Sequence, residues 1–170
     1  AGAVWLWVSV NALASLLAVA TAASYLLAYT PLKPVTPLST VIGAVPGAIP
    51  PMIGWAAVRG TLDEGAWVLF LIVFCWQMPH FFAISWMFTE DYARAGFVVH
   101  SSGVKTGRQI IMYCCALIPV SLLPVLFGAA GRWYLLGALL LGFVYLGYGF
   151  AVALFGACAD AQRLLRISVL

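Results

Sequence analysis

Four polar side chains set in or beside an apolar stretch carry the chemistry that this chain could do. From Cys75 to Gly96 the sequence reads CWQMPHFFAISWMFTEDYARAG, with Gln77 and His80 inside the apolar part and Glu90 and Asp91 where it breaks. Polar groups within a membrane span are costly, so they face a partner or a cavity and mark a site. On a helix turning about 100° per residue, Gln77, His80, Ile84, Met87 and Asp91 share one sector, with His80 roughly 16 Å below Asp91. Pro79 cannot donate to the Cys75 carbonyl and is expected to kink this helix.

For His80, ordinary hydrogen bonding to a neighbouring helix competes with three functional tasks: proton transfer, axial ligation of a haem iron, and orientation of a substrate carboxylate. Glu90 and Asp91 read as the C-terminal end of the same helix, where carboxylates oppose the macrodipole unless a cation compensates. Arg94 is one such cation, reached at i+3 on a continuing helix. A bound Mg²⁺ is the other, since it takes one or two carboxylates and completes its shell with water and phosphate oxygens. Lys33, Arg94, Lys105 and Arg108 fall on the Asp91 side; singly each is topology-setting charge, and together they suit a diphosphate with its metal.

These residues must be positioned by helices in a bilayer. The 170 residues are 65% hydrophobic and 8% charged, too apolar for one water-soluble core. Apolar runs of spanning length cover Ala3–Tyr29, Leu38–Val58, Ala66–Phe88, Ile110–Ala129 and Trp133–Ala157, and a sixth starts near Leu164. The fold class is therefore all-α: a polytopic transmembrane helix bundle forming a single domain over 1–170. An apolar opening without a basic leader region reads as a mature span. A start at Ala1 and a stop just as a new apolar run begins suggest a piece incomplete at both ends.

Lys33, Arg94, Lys105, Arg108, Arg163 and Arg166 lie on one side, six against the two, Arg59 and Arg132, on the other. This puts the Asp91 loop in the cytosol, or in the matrix for a mitochondrial protein. A net charge of +3, scattered along the chain, gives no footprint for nucleic acid. Cys75, Cys114, Cys115 and Cys158 lie in apolar surroundings and read as buried free thiols. Gly43, Gly47 and Gly54, with Pro46, Pro50 and Pro51, predict a bent, closely packed second span or a broken helix lining a cavity. Gly142, Gly149 and Gly156 form a heptad-spaced packing stripe.

Four blocks, YTPLK at Tyr29–Lys33, GAVPGAIPPMIGW at Gly43–Trp55, WQMPHF at Trp76–Phe81 and EDYARAG at Glu90–Gly96, resemble the protohaem IX farnesyltransferase (haem O synthase) branch of the UbiA-type intramembrane prenyltransferases. The resemblance implies a bundle of about nine helices, of which this chain would hold the fourth to the eighth and the start of the ninth. It implies farnesyl transfer from farnesyl diphosphate to a vinyl carbon of haem B, giving haem O for terminal oxidases, in a bacterial cytoplasmic or mitochondrial inner membrane. Mg²⁺ would bind through the diphosphate at two acid-bearing loops, with Asp91 and Glu90 in the second; the first, of the form NxxxDxxxD, would lie upstream of Ala1. His80 and Asp91 are the catalytic candidates, and Gln77, Lys33, Arg94, Lys105 and Arg108 the substrate-binding ones. The partners implied are farnesyl diphosphate, haem B, the lipid bilayer and terminal oxidase assembly factors. The competing readings are a prenyltransferase acting on a quinone precursor and, in a different class, a membrane transporter or haem-handling protein.

Overall fold

The computed structural model describes residues 1–100 and 103–169. Residues 101 and 102, in the stretch expected to be a loop between the third and fourth apolar runs, and residue 170 lie outside the described residues. The elements are α1 (Gly2–Ser9), α2 (Ala12–Ala23), a π-helical turn (Ser24–Tyr29), α3 (Thr30–Leu32), α4 (Ser39–Ala48), α5 (Pro50–Arg59), α6 (Glu64–Met87), α7 (Thr89–Arg94), α8 (Val104–Leu126), α9 (Arg132–Phe155) and α10 (Cys158–Ile167). Among the described residues every regular element is helical. Five stretches of the described residues are long and apolar enough to cross a membrane: Ala12–Leu32, Ser39–Arg59, Glu64–Met87, Val104–Leu126 and Arg132–Phe155.

The first span differs from its predicted bounds because Asn11 breaks the apolar run. Its carboxamide oxygen accepts from the Ala14 N–H at 2.8 Å, capping α2, and its nitrogen donates to the Ala56 carbonyl of α5 at 2.7 Å. The Ser15 hydroxyl donates to the Ala3 carbonyl at 2.7 Å. A continuous helix would hold those residues about 18 Å apart, so α1 folds back on α2. Further along, the π-helical turn widens the helix at Tyr25 and Tyr29, whose ring centroids lie 4.9 Å apart.

Pro50 and Pro51 have no N–H to continue α4, and the second span divides there into α4 and α5. The third span, α6, is the central helix, with α4, α5, α8 and α10 all packed on it. Asp63 caps it by accepting from the Gly65 N–H at 3.1 Å, and Glu64 in its first turn suits the positive end of the dipole. The core is Cys75, Met78 and Phe82 of α6 against Ile110, Cys114 and Leu117 of α8 and Tyr145 and Val152 of α9. Gly142 and Gly149 of the predicted stripe let α9 meet Ile118, Ile110 and Cys114 of α8. Gly156 instead ends α9 in a left-handed turn, φ 65°.

Two of the four cysteines depart from expectation. Cys75 and Cys114 are buried, whereas Cys115 and Cys158 are exposed; Cys115 follows Cys114 on α8, which cannot turn two consecutive side chains inward together, and Cys158 opens α10. The run near Leu164 is already helical from Cys158. Its inner face carries Asp160, Ala161 and Leu164, while Gln162, Arg163 and Arg166 point outward. α10 starts beside Trp86, near the α6 C-terminus, and ends with Ser168 against Trp76 and His80, so it runs back along α6 into the bundle.

Candidate functional site

On one flank of α6 the helices stand apart around a partly open cavity of about 620 Å³. Thr21, Tyr25 and Tyr29 line it from the first span, Gly43, Pro46 and Gly47 from α4, and Phe81, Ile84 and Ser85 from α6. Lys33, Tyr92, Phe97 and Val99 complete the lining at the end nearest α7. Glycine is required twice in the α4 wall: a Cβ at Gly43 would run into the Tyr29 ring, and one at Gly47 into the Gln77 carboxamide. The broken-helix reading of the second span and the close-packing reading thus hold together, because the same glycines do both.

Lys33 sits where the apolar walls give way to charge. Its ammonium lies 4.4 Å from the Tyr29 ring centroid, 5.6 Å from that of Phe97 and 5.8 Å from that of Tyr25. Its carbonyl accepts from the Val98 N–H at 2.8 Å, which ties the segment after α7 to the end of the first span. Aromatic faces hold a cation without fully satisfying its three donors, so this ammonium can still serve a phosphate oxygen.

The acid pair is arranged differently from the sequence expectation. α6 stops at Met87, Phe88 leaves helical geometry at φ −112° and ψ 28°, and α7 begins at Thr89. Glu90 and Asp91 therefore occupy the first turn of a new helix, where carboxylates suit the dipole, and not the last turn of the old one. The Thr89 hydroxyl donates back to the Ser85 carbonyl at 2.7 Å, satisfying an α6 end group at the joint. The break also ends the continuous register by which His80 was set directly below Asp91. Arg94 pairs with Asp91 at i+3, both side chains exposed. Glu90 is exposed as well.

Gln77 and His80 are both near the cavity, but neither is among the described residues lining it. Gln77 is buried, and its nitrogen donates to the Ala44 carbonyl at 2.7 Å, fastening α4 to α6. His80 is half-buried on the side facing α10, with Nδ1 2.7 Å from the Ser168 hydroxyl oxygen. The Trp76 ring stacks on it at 5.7 Å, and the Trp76 indole N–H donates to the Ser168 carbonyl at 2.8 Å. Tyr145 donates in turn to the Trp76 carbonyl at 3.2 Å. Lys105 and Arg108 are exposed in the opening turns of α8 and contribute nothing to the lining.

His100, in the segment between α7 and α8, packs edge-on against Phe82 at 5.3 Å, and its Nε2 is buried without a partner. Burial pushes its pKa below the ordinary 6.5. Among the described residues no three His, Cys, Asp or Glu side chains gather closely enough to hold a metal by themselves. The donor set that exists, two adjacent exposed carboxylates with Arg94 paired to one of them, suits a cation that arrives with phosphate oxygens of its own.

Sequence reasoning missed Ser168, Trp76, Tyr25 and Phe97. Tyr25 and Tyr29 did leave a signal, two aromatic residues at i and i+4 followed by a lysine at i+8. Ser168 left none, because its partner is 88 residues away.

The model of the UbiA prenyltransferase family matches residues 1–169. The chain is 52% identical over 174 residues to a protoheme IX farnesyltransferase of Solibacter usitatus (strain Ellin6076), covering 100% of this chain and 60% of that protein. It is 48% identical over 145 residues to one of Koribacter versatilis (strain Ellin345), covering 83% of this chain and 47% of that protein. A third, of Methylibium petroleiphilum (strain ATCC BAA-1232 / LMG 22953 / PM1), is 43% identical over 174 residues, with 99% of this chain and 56% of that protein covered. The chain thus spans about half the length of the curated relatives it matches. No solved structure matches it.

Proposed function

The chain belongs to the UbiA prenyltransferase family, and from that premise we propose that the whole protein transfers a farnesyl group from farnesyl diphosphate to a vinyl carbon of haem B, giving haem O. The observation that carries this reading is the cavity: apolar walls from three spans, closed at one end by Lys33 and by the segment that follows Asp91. An isoprenoid chain fits such walls, and a diphosphate fits such an end. The choice of haem B as acceptor rests on the names of the relatives at 43–52% identity.

In this reaction the bond between the allylic carbon and the diphosphate oxygen breaks, and its electron pair leaves with the diphosphate. The vinyl π electrons form the new carbon–carbon bond, water adds to the resulting porphyrin-side cation, and a proton is released. Charge develops at two places, so fixed groups must meet it at both. Lys33 and Arg94 take the diphosphate oxygens, with Lys33 exchanging ring faces for phosphate and Arg94 exchanging Asp91. The faces of Tyr25 and Tyr29, left behind by Lys33, are placed to stabilise the allylic cation. Asp91 and Glu90 would hold Mg²⁺, which supplies charge neutralisation of the leaving group when bound. Gln77 acts by holding α4 in place, and Lys105 and Arg108 raise the positive potential at this end of the bundle. The apolar walls keep bulk water from the cation.

The charge asymmetry of the loops supports a cytosolic or matrix location for the Asp91 end, in a bacterial cytoplasmic or mitochondrial inner membrane. Delivery of haem O to terminal oxidases would bring their assembly factors as partners. The test uses membranes containing the full-length protein, supplied with haem B, Mg²⁺ and farnesyl diphosphate, and mass spectrometry of the porphyrin. Conversion of haem B to haem O is the expected result. Farnesylation of an added quinone precursor with haem B untouched would establish the competing acceptor instead.

A further inference from the structure

Two short contacts fix where the proton of His80 sits. The Ser168 hydroxyl lies 2.6 Å from the Leu165 carbonyl oxygen and 2.7 Å from His80 Nδ1. A carbonyl oxygen only accepts, so the single hydroxyl proton of Ser168 is committed to Leu165. The contact with His80 is then a hydrogen bond only if Nδ1 carries the proton and donates to Ser168. In the neutral ring Nε2 is then left with a bare lone pair.

This removes one of the three tasks open for His80. A nitrogen with a lone pair cannot donate to a carboxylate, so the ring does not orient an acidic substituent of the substrate. Two tasks remain, base and metal ligand, and position separates them. A base acting on the reacting carbon belongs in the cavity wall, whereas His80 stands beside that wall, its neighbours Phe81 and Ile84 being the residues that line it. Residues four apart on a helix are about 5–6 Å apart at Cβ, so a flat macrocycle centred on His80 would bring its edge to the cavity at Ile84.

We propose that His80 ligates the iron of the porphyrin acceptor through Nε2, and that Ser168 is the positioning residue that fixes the required tautomer. A histidine ligand ordinarily donates its second ring N–H to an oxygen acceptor, which sets ring orientation and raises the basicity of the ligating nitrogen. Ser168 is that acceptor, and the Trp76 ring stacked at 5.7 Å limits rotation of the imidazole. The iron is thereby held off the reacting carbon, and the vinyl edge is directed toward the prenyl cavity. The proposal rests on haem B being the acceptor.

The experiment titrates the full-length protein in detergent with ferric haem B and reads the optical and electron paramagnetic resonance spectra. The wild type is expected to give an imidazole-ligated signature. His80→Asn keeps an amide N–H for Ser168 but no ring nitrogen; it should lose the signature and weaken haem binding about tenfold to hundredfold, with the KM for farnesyl diphosphate unchanged. Added imidazole should restore the signature to His80→Ala, a rescue that also reports a folded site. Ser168→Ala should keep the signature but weaken binding roughly tenfold. An unaltered spectrum in His80→Asn, in protein that still converts haem B, overturns the ligation and leaves the acceptor assignment standing. A wild type that neither binds haem B nor yields haem O overturns both.

Discussion

Toward α8 and α9, α6 presses Cys75, Met78 and Phe82 against Ile110, Cys114 and Tyr145 with no room left; toward α2 and α4 it presents Phe81, Ile84 and Ser85 to open space. Both flanks use glycine, to opposite ends. On the filled flank Gly142 and Gly149 draw α9 onto α8, while on the hollow flank Gly43 and Gly47 admit Tyr29 and Gln77, which prop α4 at the edge of a cavity. Small residues permit approach; what approaches decides whether the result is a seam or a chamber. Close packing and open space are thus divided between two sides of one helix, and on the proposed function stability and chemistry divide with them.

That division is open to attack by substitution, and the largest effect is expected from the filled flank. Phe82 is fully buried, and Phe82→Ala should cost about 3–5 kcal/mol, read as a lower melting temperature in detergent, with the KM for farnesyl diphosphate unaltered in the protein that remains folded. A mutant that melts normally would show that the core tolerates a hole there. Asp91→Asn should do the reverse: prenyl turnover by the full-length protein falls roughly 10²-fold or more while melting and haem affinity stay as they were. Unchanged turnover removes Asp91 from the diphosphate end.

Smaller effects sharpen the boundary between the flanks. Tyr145→Phe removes the hydroxyl that bonds the Trp76 carbonyl and should lower stability by about 0.6 kcal/mol, a typical value for a polar contact between membrane helices. A loss of turnover without loss of stability would move Tyr145 to the chemical side. The weakest effect concerns pH. Above about 6.5 His100 is neutral in folded and unfolded chains alike; below it the unfolded chain takes up a proton that the buried ring resists, so stability falls as pH falls through that value. His100→Gln should flatten the melting temperature between pH 5 and pH 8, and an identical pH profile in the variant would exclude this origin.

The spans were legible because a bilayer demands about 20 apolar residues in sequence, and that demand is local. The divided second span was legible for the same reason, since a proline acts on its own helix. Other features needed knowledge of partners. Asn11 looks like a tolerated polar residue until its two bonds, to Ala14 and Ala56, show it to be a corner. Thr89-Glu90-Asp91 reads as the end of a long helix or the start of a short one, and the choice turned on Phe88, whose backbone leaves helical geometry without any glycine or proline to announce it. The site was half legible: residue types at Lys33, His80 and Asp91 drew attention, but the cavity is assembled from separate stretches of the chain. That His80 faces α10 depends on Ser168, which no local pattern connects to it.

The pairing of Arg94 with Asp91 has an effect on ion traffic at the membrane face. Contacts between such exposed groups are worth about 1 kcal/mol or less, easily traded but sufficient to blunt the pull of a lone carboxylate. Free divalent ions in the surrounding fluid would find little reason to linger there. On the proposed reading, only an ion escorted by an anionic companion offers both members of the couple something to exchange, so such a doorway would discriminate by escort before it discriminates by size.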